Sequence, residues 1–320
     1  MPEVWVPYGE VEASLRLKHE NYDDTVEPLK IDGYTEEIKD VFYYITDGKK
    51  TSIELLQKGF MSLKPFNFKK GGETIIDGAL VKIPENIEKT IIICAARLDP
   101  LYGFFGPHSI LLSLLGLEGE VLSRKENDVK TVNGPSANFA IRILEETKPY
   151  AICYFGGVTQ RVLMGPAAEV FKRIQEAFLK NTVKQKRRRF IVASAGGYPY
   201  DDTLFETLVS AYNLLPFIDD DGEIILVAEC QGGLGDEGLR RLTLGLSSNS
   251  LASQILSKLK KRAHLSLVSS IPNTLTGRLG ISGYSSLTEA FEFIESQNSW
   301  KLKAWIVKES ATLYSGKQQW

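Results

Sequence analysis

The chain has 320 residues, 43% of them hydrophobic and 24% charged, with a formal net charge of -2 at pH 7. These values exclude disordered and fibrous classes, and the near-neutral balance argues against nucleic acid as a partner. The length suits two domains with a ligand cleft between them. Cys94, Cys153 and Cys230 are odd in number, widely spaced and without a CxxC pair, which speaks against a disulfide framework or a cysteine zinc site and for the reducing cytoplasm. The opening "MPEVWVPYGEVEASLRLKHE" has no basic start followed by an apolar stretch, and no later apolar run nears the roughly eighteen residues that span a bilayer. A soluble protein without a membrane partner is expected.

In chain order, "EVWVPYG" and "EASLRLK" read as a strand pair around Gly9. "YTEEIKDVFYYI" and "SIELLQKGFM" carry apolar residues at helical spacing, and "TIIICAA" is a fully apolar strand. That strand runs into "LDPLYGFFGPHSILLSLLG", where Pro107 suits the first turn of a helix and Gly116 its end. "SANFAIRILEE" is an amphipathic helix and "YAICYFGG" a buried strand. Next comes the basic link "KNTVKQKRRRF", read as a solvated connection and taken as the domain boundary. Beyond it strands and helices alternate regularly, from "RFIVASA" through "TLFETLVSAYNLL", "EIILVAE", "EGLRRLTLGL", "LASQILSKLKKR" and "HLSLVSS" to "LTEAFEFIES" and "LKAWIVK". This pattern predicts an α/β fold with domains at 1–184 and 185–320, the second a doubly wound, mostly parallel sheet. Ligands in such sheets sit beyond the carboxyl ends of the strands, which marks the loops "GGYPYDD", "CQGGLGDE", "SIPNTLTGR" and "ESATLYSG".

Several stretches bear on chemistry. A glycine-rich loop opening a helix can hold an anion, so Gly103, Gly106 and Ser109 are candidate cofactor contacts. His108 beside them is the candidate general acid/base, since an imidazole titrates near neutrality and a helix N-terminus lowers its pKa. "TDGKKTS" places Asp47 and Lys50 on a turn ahead of a helix, either a carboxylate clamp or an ordinary polar turn. In "GGYPYDDTLFE", Gly197 and Tyr198 are candidate substrate contacts; Glu206 is another, although Thr203 with Glu206 three residues on also reads as a capping box. Residues 233–238 spell GxGxxG, but Asp236 and Glu237 would face a pyrophosphate, so a tight turn with Asp236 near the helix start is the better reading. His19 and His264 stand apart, and neither a metal-binding histidine motif nor a G-x-S-x-G elbow occurs.

Taken in order, "WVPYGE", "TDGKKTSIELL", "LDPLYGFFGPHSIL", "FIVASAGGYPYDDTLFETL" and "GEIILVAECQGGLGDEG" resemble successive segments of the nickel-pincer lactate racemase family. The resemblance implies a two-domain α/β fold and a nickel ion on a sulfur-bearing pyridinium nucleotide, which takes hydride from the alpha carbon of a 2-hydroxy acid. It also implies a nickel-ligating histidine, a lysine bonded to the nucleotide, two proton-moving histidines and a substrate-binding arginine. In this sequence the ligand histidine falls on Leu101, the lysine on His108 and the arginine on Lys50. The family's glutamine and lysine fall on Glu206 and Val209, its tryptophan on Leu251, and no histidine lies between Phe60 and Ile91. The family's nickel-pincer nucleotide is therefore expected but its ligands are unmatched, and no metal site is assigned. The reading is a divergent racemase- or epimerase-type protein taking a small carboxylate or other anionic ligand; the alternative is a non-catalytic binding protein or partner subunit of a homologous racemase.

Overall fold

The computed structural model describes residues 3–60, 62–100, 102–124, 129–130, 132–156, 161–184, 186–297, 303–316 and 318–319. The chain forms two compact units. Unit I comprises the chain up to Leu29, Gly156 and Val183–Ser315; unit II comprises Lys30–Phe155, the segment ending at Thr182, and the C-terminus.

Unit I is built on six strands in the order Ser282–Tyr284, Ala263–Val268, Ile218–Val227, Arg188–Ser194, Ala304–Val307, Tyr22–Val26, every neighbouring pair parallel. The apolar runs predicted as strands after the basic link occupy its centre, as expected of strands buried on both faces. The chain starts at Arg188–Ser194, winds outward to Ser282–Tyr284, then returns to the other side as Ala304–Val307. The order therefore reverses beside Arg188–Ser194, and the carboxyl ends there flank a crevice. On one face the Glu3–Tyr8/Val11–Arg16 hairpin and the Leu287–Gln297 helix bury Val6, Leu15, Phe190, Ile225, Phe291 and Ile306 together. Each such side chain contributes about 1.5–3 kcal/mol. The Leu204–Tyr212 and Leu251–Arg262 helices complete the unit.

Unit II also has a six-stranded sheet, ordered Tyr34–Thr35, Arg161–Pro166, Tyr150–Phe155, Thr90–Ala95, Tyr43–Thr46, Lys64–Pro65. Only Arg161–Pro166 against Tyr150–Phe155 is antiparallel. Ile91, Ile93 and Ile152 pack with Leu55 and Leu56 of the Lys50–Gly59 helix. Among the described residues, no helix is long and apolar enough to cross a membrane.

Two expectations change. "YTEEIKDVFYYI" is not a helix: it holds the short Tyr34–Thr35 strand and leads into Tyr43–Thr46, whose aromatic and β-branched residues pair with Thr90–Ile93. The units are also not consecutive, because the hairpin and Tyr22–Val26 belong with residues 183–315 and not with the expected domain 1–184. Parallel pairing of Tyr22–Val26 with Ala304–Val307 is the physical reason. Leu15, 2% exposed in the unit I core, checks this assignment. Leu15→Ala should cost about 2–5 kcal/mol in the urea transition that monitors unit I, as for other large-to-small core changes; an unchanged midpoint would refute the placement.

Candidate functional site

In unit II the candidate residues gather where parallel strands end. Asp47 follows the Tyr43–Thr46 strand, and its carboxylate serves the turn itself. Oδ1 accepts from the Lys49 N–H at 3.0 Å and the Ser52 hydroxyl at 2.6 Å, and Oδ2 accepts from the Ala95 N–H at 2.9 Å. The Ser52 hydroxyl also lies 3.2 Å from that of Tyr154, a residue of the neighbouring parallel strand. Asp47 thus ties one strand end to the next and fixes the first turn of the Lys50–Gly59 helix, where Lys50 is exposed. Of the two sequence readings, the polar turn explains the aspartate, and Lys50 stands exposed at the helix start beside it. Ser52 and Tyr154 were not singled out from sequence; the signal available was their place at a helix start and at the carboxyl end of a strand.

The Gly103–Ser109 loop points inward instead. Gly103–Phe105 pairs antiparallel with Arg97–Asp99, and the Ser109 hydroxyl accepts from the Gly106 N–H at 3.3 Å, capping the Pro107–Leu114 helix. Gly103, Gly106 and Ser109 are buried, which places them away from an exposed phosphate cradle. His108 is 1% exposed, its ring 4.6 Å from that of Phe104 and 4.8 Å from that of Phe171 by centroids. Nε2 lies 3.3 Å from the Ser109 hydroxyl, while Nδ1 is buried with no hydrogen-bond partner among the described residues. Burial pushes the imidazole down to about 3, so it stays neutral across the physiological range. The expected acid/base role does not fit this aromatic setting. Leu101 lies outside the described residues.

In unit I the crevice beside Arg188–Ser194 holds a second group of polar residues. Gly196 has a φ of +123°, and a Cβ there would lie 2.7 Å from Cγ of buried Glu309, so only glycine admits the approach. The Gly197 carbonyl accepts from the Tyr200 N–H at 2.8 Å, and the Tyr198 N–H donates to the Gly9 carbonyl at 2.9 Å. Thr203 caps the Leu204–Tyr212 helix by accepting from the Glu206 N–H at 3.3 Å. Asp201, 1% exposed, uses Oδ2 to accept from the N–H groups of Gly9 at 2.6 Å and Glu229 at 3.2 Å, while Oδ1 is buried with no hydrogen-bond partner among the described residues. Burial, reinforced by the Glu229 charge, raises the Asp201 carboxyl above the usual range, and burial with the same neighbour raises the Tyr8 phenol. Tyr8 and Glu229 were not among the candidate site residues, although Glu229 is the last residue of the predicted strand "EIILVAE".

The structure therefore places Gly197, Tyr198 and Glu206 near one strand edge of unit I, and Asp47 with Lys50 on one turn of unit II. His108, Gly103, Gly106 and Ser109 form a separate, buried group. The GxGxxG segment opens on a tight turn: the Gly233 N–H donates to the Cys230 carbonyl at 2.9 Å, and Asp236 accepts from the Leu239 N–H at 2.9 Å as a helix cap.

This geometry can be set beside known proteins. No protein-family model and no curated protein sequence matches the chain. The structure is similar to the lactate racemase apoprotein from Thermoanaerobacterium thermosaccharolyticum, with a TM-score of 0.68 over 98% of this chain and 99% of that one, at 16% identity. The chain has a lactate-racemase-like fold. A structural-genomics protein from Thermotoga maritima is also similar, with a TM-score of 0.47, 12% identity and 85% of each chain covered.

A nickel-pincer nucleotide does not fit the residues seen. His108, which the sequence resemblance sets against the family's lysine, is enclosed by aromatic rings, and an imidazole cannot make the link an amine makes. Among the described residues, no group of three or more His, Cys, Asp or Glu side chains is arranged to hold a metal ion.

Two measurements test the unit II geometry. Asp47→Ala leaves three donors without their acceptor and should lower stability by about 2–4 kcal/mol, at about 1.5–3 kcal/mol for hydrogen bonds to a charged group less solvent compensation. Chemical denaturation reads the loss, and a change under 0.5 kcal/mol would show the network idle. For His108, the folded pKa of about 3 lies below the unfolded value of 6.5. The unfolded chain then binds the extra proton between these values, so this contribution to stability is complete above pH 6.5 and is lost as pH falls toward 3. The imidazole resonances of His108 should stay unshifted in a proton NMR titration from pH 8 to 5; a midpoint near 6.5 would contradict its burial.

Proposed function

We propose that this chain is a divergent protein of the lactate-racemase fold that binds a small 2-hydroxy acid or related sugar acid, with racemase or epimerase chemistry as its reaction class. The full-length likeness to lactate racemase apoprotein is the observation that carries the reading. Lys50 supplies the charge for the ligand carboxylate, from a turn that Asp47 holds rigid. A lysine gives a point charge where a guanidinium would give a planar fork, so orientation of the carboxylate must come from additional donors.

The chemistry proposed here uses no step through a nickel nucleotide, and His108 moves no proton in it. In its raised state the Asp201 carboxyl, with Glu229 and Tyr8 beside it, is the better-placed proton-holding group of unit I. A panel of 2-hydroxy acids should raise the melting temperature of the full chain by several degrees at saturating concentration, as any ligand selective for the folded state does. Lys50→Met should weaken the effect about tenfold, equivalent to about 1.4 kcal/mol. Proton NMR in D2O should show loss of the alpha hydrogen of the acids that bind. If no acid shifts the melting temperature and none exchanges its alpha hydrogen, the reading fails.

A further inference from the structure

Cys94 and Cys153 are direct register partners on the adjacent parallel strands Thr90–Ala95 and Tyr150–Phe155 of unit II. Both are buried free thiols, with their sulfur atoms 3.5 Å apart. Because side chains alternate along a strand, the two thiols share the sheet face opposite Ile93 and Ile152. Parallel neighbours in a sheet lie about 4.8 Å apart, inside the Cα separation that a disulfide spans. Closing the bond requires the sulfurs to approach by about 1.5 Å, a rotation about χ1 on each side. The third cysteine, Cys230, belongs to unit I and has the Thr207 hydroxyl as its neighbour at 3.5 Å.

We propose that Cys94 and Cys153 form an oxidisable dithiol, converted in the folded protein to an intramolecular disulfide by a hydroperoxide. The thiolate of one cysteine attacks a peroxide oxygen; the O–O bond breaks, giving a sulfenic acid and, after protonation, water or an alcohol. The second thiol then attacks the sulfenic sulfur, the S–O bond breaks and water leaves. Two thiols are oxidised by two electrons and the peroxide is reduced. Burial and the neighbouring Cys153 and Asp47 hold the Cys94 thiol well above its ordinary range, so thiolate formation limits the rate and the reaction accelerates with pH. The position has a structural consequence. Cys94 directly precedes Ala95, whose N–H binds Asp47, and Cys153 precedes Tyr154, which meets Ser52. Oxidation thus acts on the two strand ends that the Asp47 turn joins. The inference is independent of any ligand assignment.

The full chain should be treated with hydrogen peroxide under native conditions, quenched, unfolded with an alkylating agent, and mapped by non-reducing peptide mass spectrometry. The expected product is a Cys94–Cys153 cross-linked peptide, an intact mass lower by about 2 Da for the two hydrogens lost, an alkylated Cys230, and full reversal by dithiothreitol. The same treatment in urea should scramble the pairing to include Cys230. Cys94→Ser should abolish the cross-link and leave Cys153 singly oxidised; if that variant does not fold, the mapping of the native chain alone decides. Alkylation of both Cys94 and Cys153 after peroxide, their separate over-oxidation, or pairing with Cys230 under native conditions would overturn the proposal.

Discussion

The parallel ladder between Tyr22–Val26 and Ala304–Val307 is the constraint on which the architecture depends. Beside the ladder Lys308 pairs with Glu27, 281 residues apart. Without it the Ala304–Val307 strand would be left as an edge with open hydrogen-bonding groups. With it, Val6 and Leu15 close one face of the core over Phe190 and Ile225, and unit II becomes a long excursion between two parts of unit I. The turn at Gly9 is then drawn to the strand ends, where its N–H meets Asp201.

Both sheets use their carboxyl ends in the same physical way. A parallel strand ends with backbone donors unspent, and a carboxylate on a nearby loop can collect them: Asp47 takes the N–H of Ala95, the last residue of Thr90–Ala95, and Asp201 takes that of Glu229 after Ile218–Val227. The difference lies in what is left over. Asp47 is occupied on both oxygens, whereas Asp201 keeps one buried oxygen with no hydrogen-bond partner among the described residues, and burial raises its pKa. His108 shows the opposite economy: an ionisable ring used as packing between phenyl groups, with its charge suppressed by the lack of water.

The regular part of the chain was legible because the central strands of unit I are buried on both faces and its helices carry apolar residues at helical spacing, so composition and period agree. The same reading failed at Tyr34–Thr46, where apolar residues at helical spacing face a sheet partner distant in sequence. Periodicity carries no information about such a partner. Thr203 and Asp236 were readable as helix caps because a cap is local. Tyr8 and Glu229 were not readable as neighbours, since only the fold brings the hairpin turn to that strand end. The glycine-aromatic loop was ambiguous for a related reason: glycine admits close approach, and the sequence does not tell that the rings of His108 and Phe104 are what lie nearest Gly106.

The side-chain amide of Asn181 donates to the Lys30 carbonyl at 3.1 Å, so the two ends of the unit II excursion are pinned together. In polymer terms the long insertion then presents itself to unit I as a very short loop, since the entropy of closing a loop depends on how far its ends must be brought. Such a junction lets the inserted unit lengthen, shorten or diverge with little penalty to the host sheet that carries it.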